Sequence, residues 1–100
     1  MSVDRDRRIL DVVRLLREGE VVSYGDIGDD AGFARQSRLV GRLLATTTEP
    51  DLPWWRVVTA SGRLVPGLEH EQAARLRAEG VVVAGGRVRS ARYGRFSRRP

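Results

Sequence analysis

Hydrophobic and polar residues along the 100-residue chain fall into a pattern that predicts four helices and a few short extended stretches. From Asp4 to about Glu18, Ile9, Val12, Val13, Leu15 and Leu16 recur at helical spacing. Arg7, Arg8, Asp11, Arg14 and Arg17 take most of the positions between them, so the segment reads as an amphipathic helix stopped by Gly19. Val21 and Val22 follow as a short extended stretch. Ser23-Tyr24-Gly25-Asp26 has the form of a helix start, with a serine at the N-cap and an acid three residues on. This second helix is short and ends near Ala31-Gly32. A third runs from about Ala34 to Ala45, with Leu39, Val40, Leu43 and Leu44 on one face. Arg35, Arg38 and Arg42 form a basic stripe away from that face. Two short helices joined by a glycine turn, the second bearing arginines, is the pattern of a helix-turn-helix. Such turns are common in helical proteins, so this pattern alone does not decide for nucleic acid.

Thr46 to Leu52 reads as a loop. Arg56-Val57-Val58, Ala60-Ser61-Gly62 and Arg63-Leu64-Val65 read as strand, turn and strand, which after a helix-turn-helix suggests a wing. A fourth helix spans Glu69 to Glu79, with Ala73, Leu76 and Ala74 as candidate inward residues. Val81–Val83 and Arg87-Val88, joined by Gly85-Gly86, predict a last small hairpin. Beyond Ser90 no core-forming pattern is visible. The expected organisation is therefore one domain over residues 1–89 and a basic tail over 90–100. The expected fold class is mainly α with a small β-hairpin, a winged-helix-like helix-turn-helix domain.

Composition sharpens this picture in two places. All 18 basic residues are Arg, against 13 acids, for a net charge of +5. Six of those arginines lie in residues 87–100, which hold no acid, so residues 1–86 carry 12 Arg against 13 acids. A basic tail is consistent either with a polyanionic partner or with a merely solvated segment. A polyanionic partner would be bound by it without regard to sequence. The chain has no Cys, which removes disulfides, thiolate metal sites and thiol nucleophiles. His70 is the only His, so neither a metal nor another cofactor is expected. No apolar run approaches the roughly 20 residues that span a bilayer. With no signal-peptide pattern at the start, no membrane partner and a cytoplasmic location are the expectation.

The most unusual local feature is Pro53-Trp54-Trp55-Arg56, where both Trp residues stand side by side. They could anchor a small core. In a strand, neighbours face opposite sides, so one could be buried while the other lines a cleft on which an unpaired base stacks. These motifs occur in order with Gly19-Glu20-Val21-Val22-Ser23-Tyr24-Gly25-Asp26-Ile27, Ala31-Gly32, Arg38-Leu39-Val40-Gly41, Ser61-Gly62 and Ala78-Glu79-Gly80-Val81. Together, over roughly residues 5–88, they resemble the DNA-binding domain of the O6-alkylguanine-DNA alkyltransferases. The likeness is specifically to their alkyltransferase-like relatives, in which the reactive Cys is absent.

The resemblance implies a role for each matched residue. The alkyltransferase pattern is Pro-Cys-His-Arg-Val, so Trp54 stands at the acceptor Cys and Trp55 at the His that relays its proton. An indole N–H is a donor only, so alkyl transfer is excluded and the protein is not expected to be an enzyme. Tyr24 matches the Tyr that crowds the phosphate beside the target nucleotide, and Arg38 the Arg that fills the gap left by the flipped base. Arg35 and Arg42 are candidate phosphate contacts. Leu44, Val57 and Thr59, with Trp54, fall where the family lines its base pocket. Glu79 matches the acid that orients the His; without that His it reads more simply as a capping or solvated charge. Residues 65–70 depart from the family's pocket loop. The implied partner is double-stranded DNA containing O6-alkylguanine, bound by a monomer that marks the lesion for nucleotide excision repair proteins. Two rivals remain: a winged-helix regulator that reads a DNA sequence, and a glycosylase, for which no acid stands in a recognisable catalytic context.

Overall fold

The computed structural model describes residues 2–97. Its elements are α1 (Ser2–Arg14), β1 (Glu20–Ser23), α2 (Tyr24–Asp30), α3 (Ser37–Thr46), a 3-10 turn (Trp54–Arg56), β2 (Val57–Val58), α4 (Glu69–Ala78), β3 (Val82–Ala84), β4 (Arg87–Ser90) and β5 (Tyr93–Gly94). The four helices and the final hairpin match expectation; several boundaries do not. The first helix stops four residues earlier than its periodicity suggested. The Leu15 amide is shared between the Asp11 and Val12 carbonyls, and the Leu16 amide bonds to Val13. This tightening of the last turn leaves Leu15 81% exposed while Leu16 stays buried.

Strand β1 organises the molecule. Successive side chains on a strand point to opposite faces, so Val22 enters one core and Val21 the other. Val57 and Val58 of β2 divide in the same way. The first core gathers Ile9, Leu10, Val13 and Leu16 with Ile27, Leu39, Val40 and Leu52. The second gathers Leu64, Ala73, Leu76, Val81, Val83 and Val88. Strand β2 runs parallel to β1, with Val22 opposite Val57 and Ser23 opposite Val58. The helix-turn-helix forms the crossover between them, a connection that parallel strands require. The expected strand-turn-strand over 56–65 is therefore corrected. Its first half joins β1, while Arg63 bridges Arg87 at the edge of the β3–β4 hairpin.

The Ser23–Asp26 capping box is present, with Asp26 N–H to Ser23 Oγ at 3.0 Å and Ser23 N–H to Asp26 Oδ2 at 2.9 Å. Gly32 makes the turn at φ +91, as anticipated. Helix α3, however, starts at Ser37 rather than near Ala34. Arg35 lies in the turn before it at φ +62, outside the helical arginine stripe. The loop after α3 is fastened to α1 through Glu49, which pairs with Arg7 at 2.8 Å and also with Arg14.

The segment expected to be a tail is part of the fold through Ser97. Strand β5 lies parallel to β1 on the edge away from β2, so the sheet order is β2-β1-β5. Tyr93 N–H donates to the Gly19 carbonyl at 3.0 Å and Arg95 N–H to the Val21 carbonyl at 3.1 Å. Gly94 is needed at that approach: it sits at φ +87, and a Cβ there would collide with the Val21 carbonyl. Phe96 packs on the second core. No core-forming pattern marks this segment in the sequence because backbone pairing, not side-chain burial, holds most of it. Arg98, Arg99 and Pro100 lie outside the described residues.

Candidate nucleic-acid interface

Pro53 is buried and leads into the 3-10 turn, closed by hydrogen bonds from Arg56 N–H to Pro53 O at 3.1 Å and from Val57 N–H to Trp54 O. The two Trp residues are thus not on a strand, which corrects the expected alternation. Their rings instead meet edge to face at 88°, with centroids 6.2 Å apart. Each is half-buried, and each has a distinct environment.

Trp55 is fixed from three directions. Its indole N–H donates to Glu79 Oε2 at 2.9 Å. The Arg75 guanidinium stands 4.6 Å from its ring centroid and the Arg56 guanidinium 5.3 Å. Glu79 is the centre of this arrangement rather than a solvated cap. It also accepts from Arg56 Nη2 at 2.7 Å, from Arg56 Nε at 3.0 Å and from the Gly19 amide at 3.0 Å. Arg56 Nη1 continues to the Leu16 carbonyl at 2.8 Å. Burial pushes the Glu79 carboxyl up. The hydrogen bonds from Arg56, Gly19 and Trp55, with the Arg56 charge, outweigh that and hold it below the usual carboxylate range. The cluster joins the segment after α1, the 3-10 turn and the residue after α4, and so fixes Trp55 against the second core.

Gln72 is a second anchor that the pattern of the sequence did not single out. Fully buried on α4, it donates through Nε2 to the Trp55 and Val57 carbonyls at 3.1 and 3.2 Å. Its Oε1 accepts from the Val65 amide at 2.7 Å. A glutamine on the same helical stripe as Ala73 and Leu76 was the available signal, since a buried amide must find partners.

Trp54 faces open space on both sides. One cavity, of about 520 Å³, is lined by Tyr24, Gly41, Leu44, Trp54, Val65 and Leu68 among others. A smaller one, about 280 Å³, lies between Leu44, Trp54, Trp55 and Arg75. The structure therefore brings together Tyr24, Leu44 and Trp54. Burial pushes the Tyr24 phenol up, so it stays neutral at ordinary pH. Val57 and Thr59 are not brought to this cavity. The Val57 side chain is fully buried in the first core and its carbonyl is taken by Gln72. Thr59 lies on two neighbouring grooves, its Oγ1 accepting from the Arg63 amide at 2.8 Å. The reason is the parallel pairing of β2, which turns Val57 inward.

Arg38, in the first turn of α3, and Arg42, one turn on, are exposed and make no side-chain hydrogen bond or ion pair among the described residues. Arg35 is likewise exposed but stands in the preceding turn. The arrangement offers cationic side chains on and before α3, next to an aromatic-walled cavity. Among the described residues no group of three or more His, Asp or Glu could hold a metal ion.

Comparison with known proteins places this geometry in context. The family described as "6-O-methylguanine DNA methyltransferase, DNA binding domain" matches residues 4–81. A DNA base-flipping protein of Escherichia coli K12 is 39% identical over 92 residues, covering 87% of this chain and 70% of the relative. One from Vibrio parahaemolyticus is 34% identical over 80 residues, covering 77% and 80%. Among solved structures, S. pombe Atl1 in complex with damaged DNA containing O6-carboxymethylguanine superposes with a TM-score of 0.74 at 24% identity, covering 100% of this chain and 98% of that one. The O6-methylguanine methyltransferase of Mycobacterium tuberculosis superposes with a TM-score of 0.66 at 30% identity, covering 74% and 47%.

Proposed function

Because the chain belongs to the DNA-binding-domain family of the 6-O-methylguanine DNA methyltransferases, we propose that it binds duplex DNA, turns an O6-alkylguanine out of the stack and holds it without transferring the alkyl group. The observation that carries this reading is the cavity where Tyr24, Leu44 and Trp54 meet, in a chain that has no Cys. Its volume lies in the range of small-molecule sites, and an aromatic wall suits a base removed from its neighbours. Relatives at 39% and 34% identity bear the name DNA base-flipping protein, which supports the extrusion step.

The residue roles follow from the resemblance and from exposure. Trp54 occupies the acceptor position, where an indole offers no nucleophile. Trp55 occupies the position of the relay His and gives Glu79 an N–H that does not titrate, so no proton path is assembled. Tyr24 crowds the phosphate beside the target, Arg38 fills the vacated stack, and Arg35 and Arg42 contact phosphates. Unstacking costs a few kcal/mol, less for a poorly paired, damaged base, and that difference favours the lesion. With no product formed, the bound complex is the output, and one copy of the protein on the duplex marks the lesion for nucleotide excision repair.

The test compares paired duplexes with and without one O6-methylguanine. Tighter binding to the lesion, with the methylated base recovered intact, is expected. Equal affinities overturn lesion recognition, and recovery of plain guanine overturns the absence of transfer. Arg38→Ala should weaken lesion binding by roughly tenfold, about 1.4 kcal/mol. Tyr24→Ala should reduce the signal of a fluorescent base placed at the flipping position. Wild-type behaviour in both variants removes the assigned roles.

A further inference from the structure

Strand β5 brings one more arginine to the edge of this interface. Arg95 donates through Nε and Nη2 to the two carboxylate oxygens of Asp26, at 2.9 and 2.8 Å. Its amide is bonded to the Val21 carbonyl at 3.1 Å. The residue is therefore held by backbone and side chain together, beside the start of α2. A guanidinium engaged along its Nε edge still has its Nη1 group and one Nη2 hydrogen to give. No other acceptor takes them among the described residues.

Arg95 lines a groove of about 310 Å³ together with Tyr24, Ser37, Thr59 and Ala60. That groove runs from the Tyr24 end of α2 to the first residue of α3, immediately before Arg38. A half-exposed guanidinium and Ser37, both lining one groove, supply the kind of donors that take phosphodiester oxygens. The carboxylate of Asp26, which would repel a phosphate here, is occupied by the same arginine. Asp29 lines the groove too and has no ion-pair partner among the described residues, so its charge opposes the approach.

We propose that Arg95 is a DNA-phosphate contact beside Tyr24, with Asp26 holding its guanidinium toward the groove. The proposal rests on the reading that the Tyr24 face meets DNA. It gives the C-terminal segment a defined contact instead of a diffuse charge.

The experiment measures binding of the full chain to an undamaged duplex and to the same duplex with one O6-methylguanine, each over a series of salt concentrations. Arg95→Ala should weaken both by the same factor, about fivefold at low salt, because phosphate contacts carry no base information. The slope of log affinity against log salt should fall in magnitude by about 0.9, the value for one phosphate. Arg95→Lys retains the charge and should retain the slope. Asp26→Asn should retain it as well, and Asp29→Asn should tighten binding. An unchanged slope in an Arg95→Ala protein with a wild-type circular dichroism spectrum overturns the contact. So does a folded Asp26→Ala variant that keeps wild-type affinity and slope, because Asp26 would then not be holding the Arg95 guanidinium toward the groove. A wild-type protein that ignores the lesion while Arg95→Ala still loses slope refutes the function proposed above and leaves this contact standing.

Discussion

Glu79 receives donors from Trp55, Arg56 and the Gly19 amide, and its side chain is only 10% exposed, with Arg56 at 14%. Removing one partner of so enclosed a pair leaves the other charge without compensation, so Glu79→Ala should destabilise the fold by about 3 kcal/mol. The same carboxylate makes stability depend on pH. Its folded pKa lies below its unfolded value. Its contribution is therefore complete above the ordinary carboxylate range and is lost as pH falls through the folded value. Asp26 acts in the same direction, held down first by the hydrogen bond from Arg95 against the opposing effect of burial. Denaturant melts below roughly pH 5 should show falling stability, with a shallower fall in Glu79→Gln, which no longer titrates. An unaltered acid limb in that variant would place the pH dependence elsewhere. At this scale the sequence was legible where chemistry is local. Ser23 and Asp26 are three residues apart and form the predicted capping box, whereas Glu79 and Trp55 are 24 apart and meet only through the fold. The contact is also made by an indole N–H that donates but does not titrate, so no pair of opposite charges marks it in the sequence.

Elements formed by periodic burial and the local β3–β4 hairpin were read well, and those formed by long-range backbone pairing were not. Helix α3 was visible from Leu39, Val40, Leu43 and Leu44, but its start was set by a left-handed turn at Arg35 that periodicity does not encode. The 3-10 turn over Trp54–Arg56 is local but carries no periodic pattern, and the parallel pairing of β2 with β1 is long-range; together they explain why Val57 faces the core and not the cavity. Gln72 is the joint between these elements, since its amide satisfies the Trp55 and Val57 carbonyls and the Val65 amide together. Gln72→Leu keeps a similar volume but removes the partner of three backbone groups, one buried and two part-buried. With each orphan costing about 1–3 kcal/mol and partial relaxation to water, a loss of roughly 3 kcal/mol is expected in chemical denaturation. Because Val65 lines the Trp54 cavity, lesion preference should fall more than affinity for undamaged duplex. A stability loss with unchanged lesion preference would show that the 65–68 loop keeps its place without Gln72.

The whole molecule is two small cores that share β1 and β2, with the helix-turn-helix on one side and α4 with the β3–β4 hairpin on the other. The candidate cavity lies where the two sides meet, with Tyr24 and Leu44 from the first and Val65 and Leu68 from the second. Whatever holds the halves in register therefore also shapes the site. Besides β2 and the Glu79 cluster, this is the work of β5, which pairs with β1, places Phe96 on the second core and reaches Asp26 at the start of α2 through Arg95. Four of the arginines that made residues 87–100 look like a solvated tail are accordingly committed within the fold. Arg87 bridges Arg63, Arg89 donates to the Ala84 carbonyl, Arg92 stands near the Tyr93 ring and Arg95 holds Asp26. Net charge along the sequence could not reveal this, because the Asp26 partner of Arg95 lies 69 residues away and the Arg63 partner of Arg87 lies before α4. Ending the chain after Ser90 should thus lower stability, where trimming a solvated tail would not. Losing the β5 pairing and the Phe96 contact by some 2 kcal/mol corresponds to a drop of about 8–16 °C in Tm for a domain of this size. Ending it after Ser97 should weaken binding to all duplexes alike at low salt, as the loss of two positive charges would do. Equal melting temperatures for the two truncated proteins would mean that β5 does not hold the two sides together.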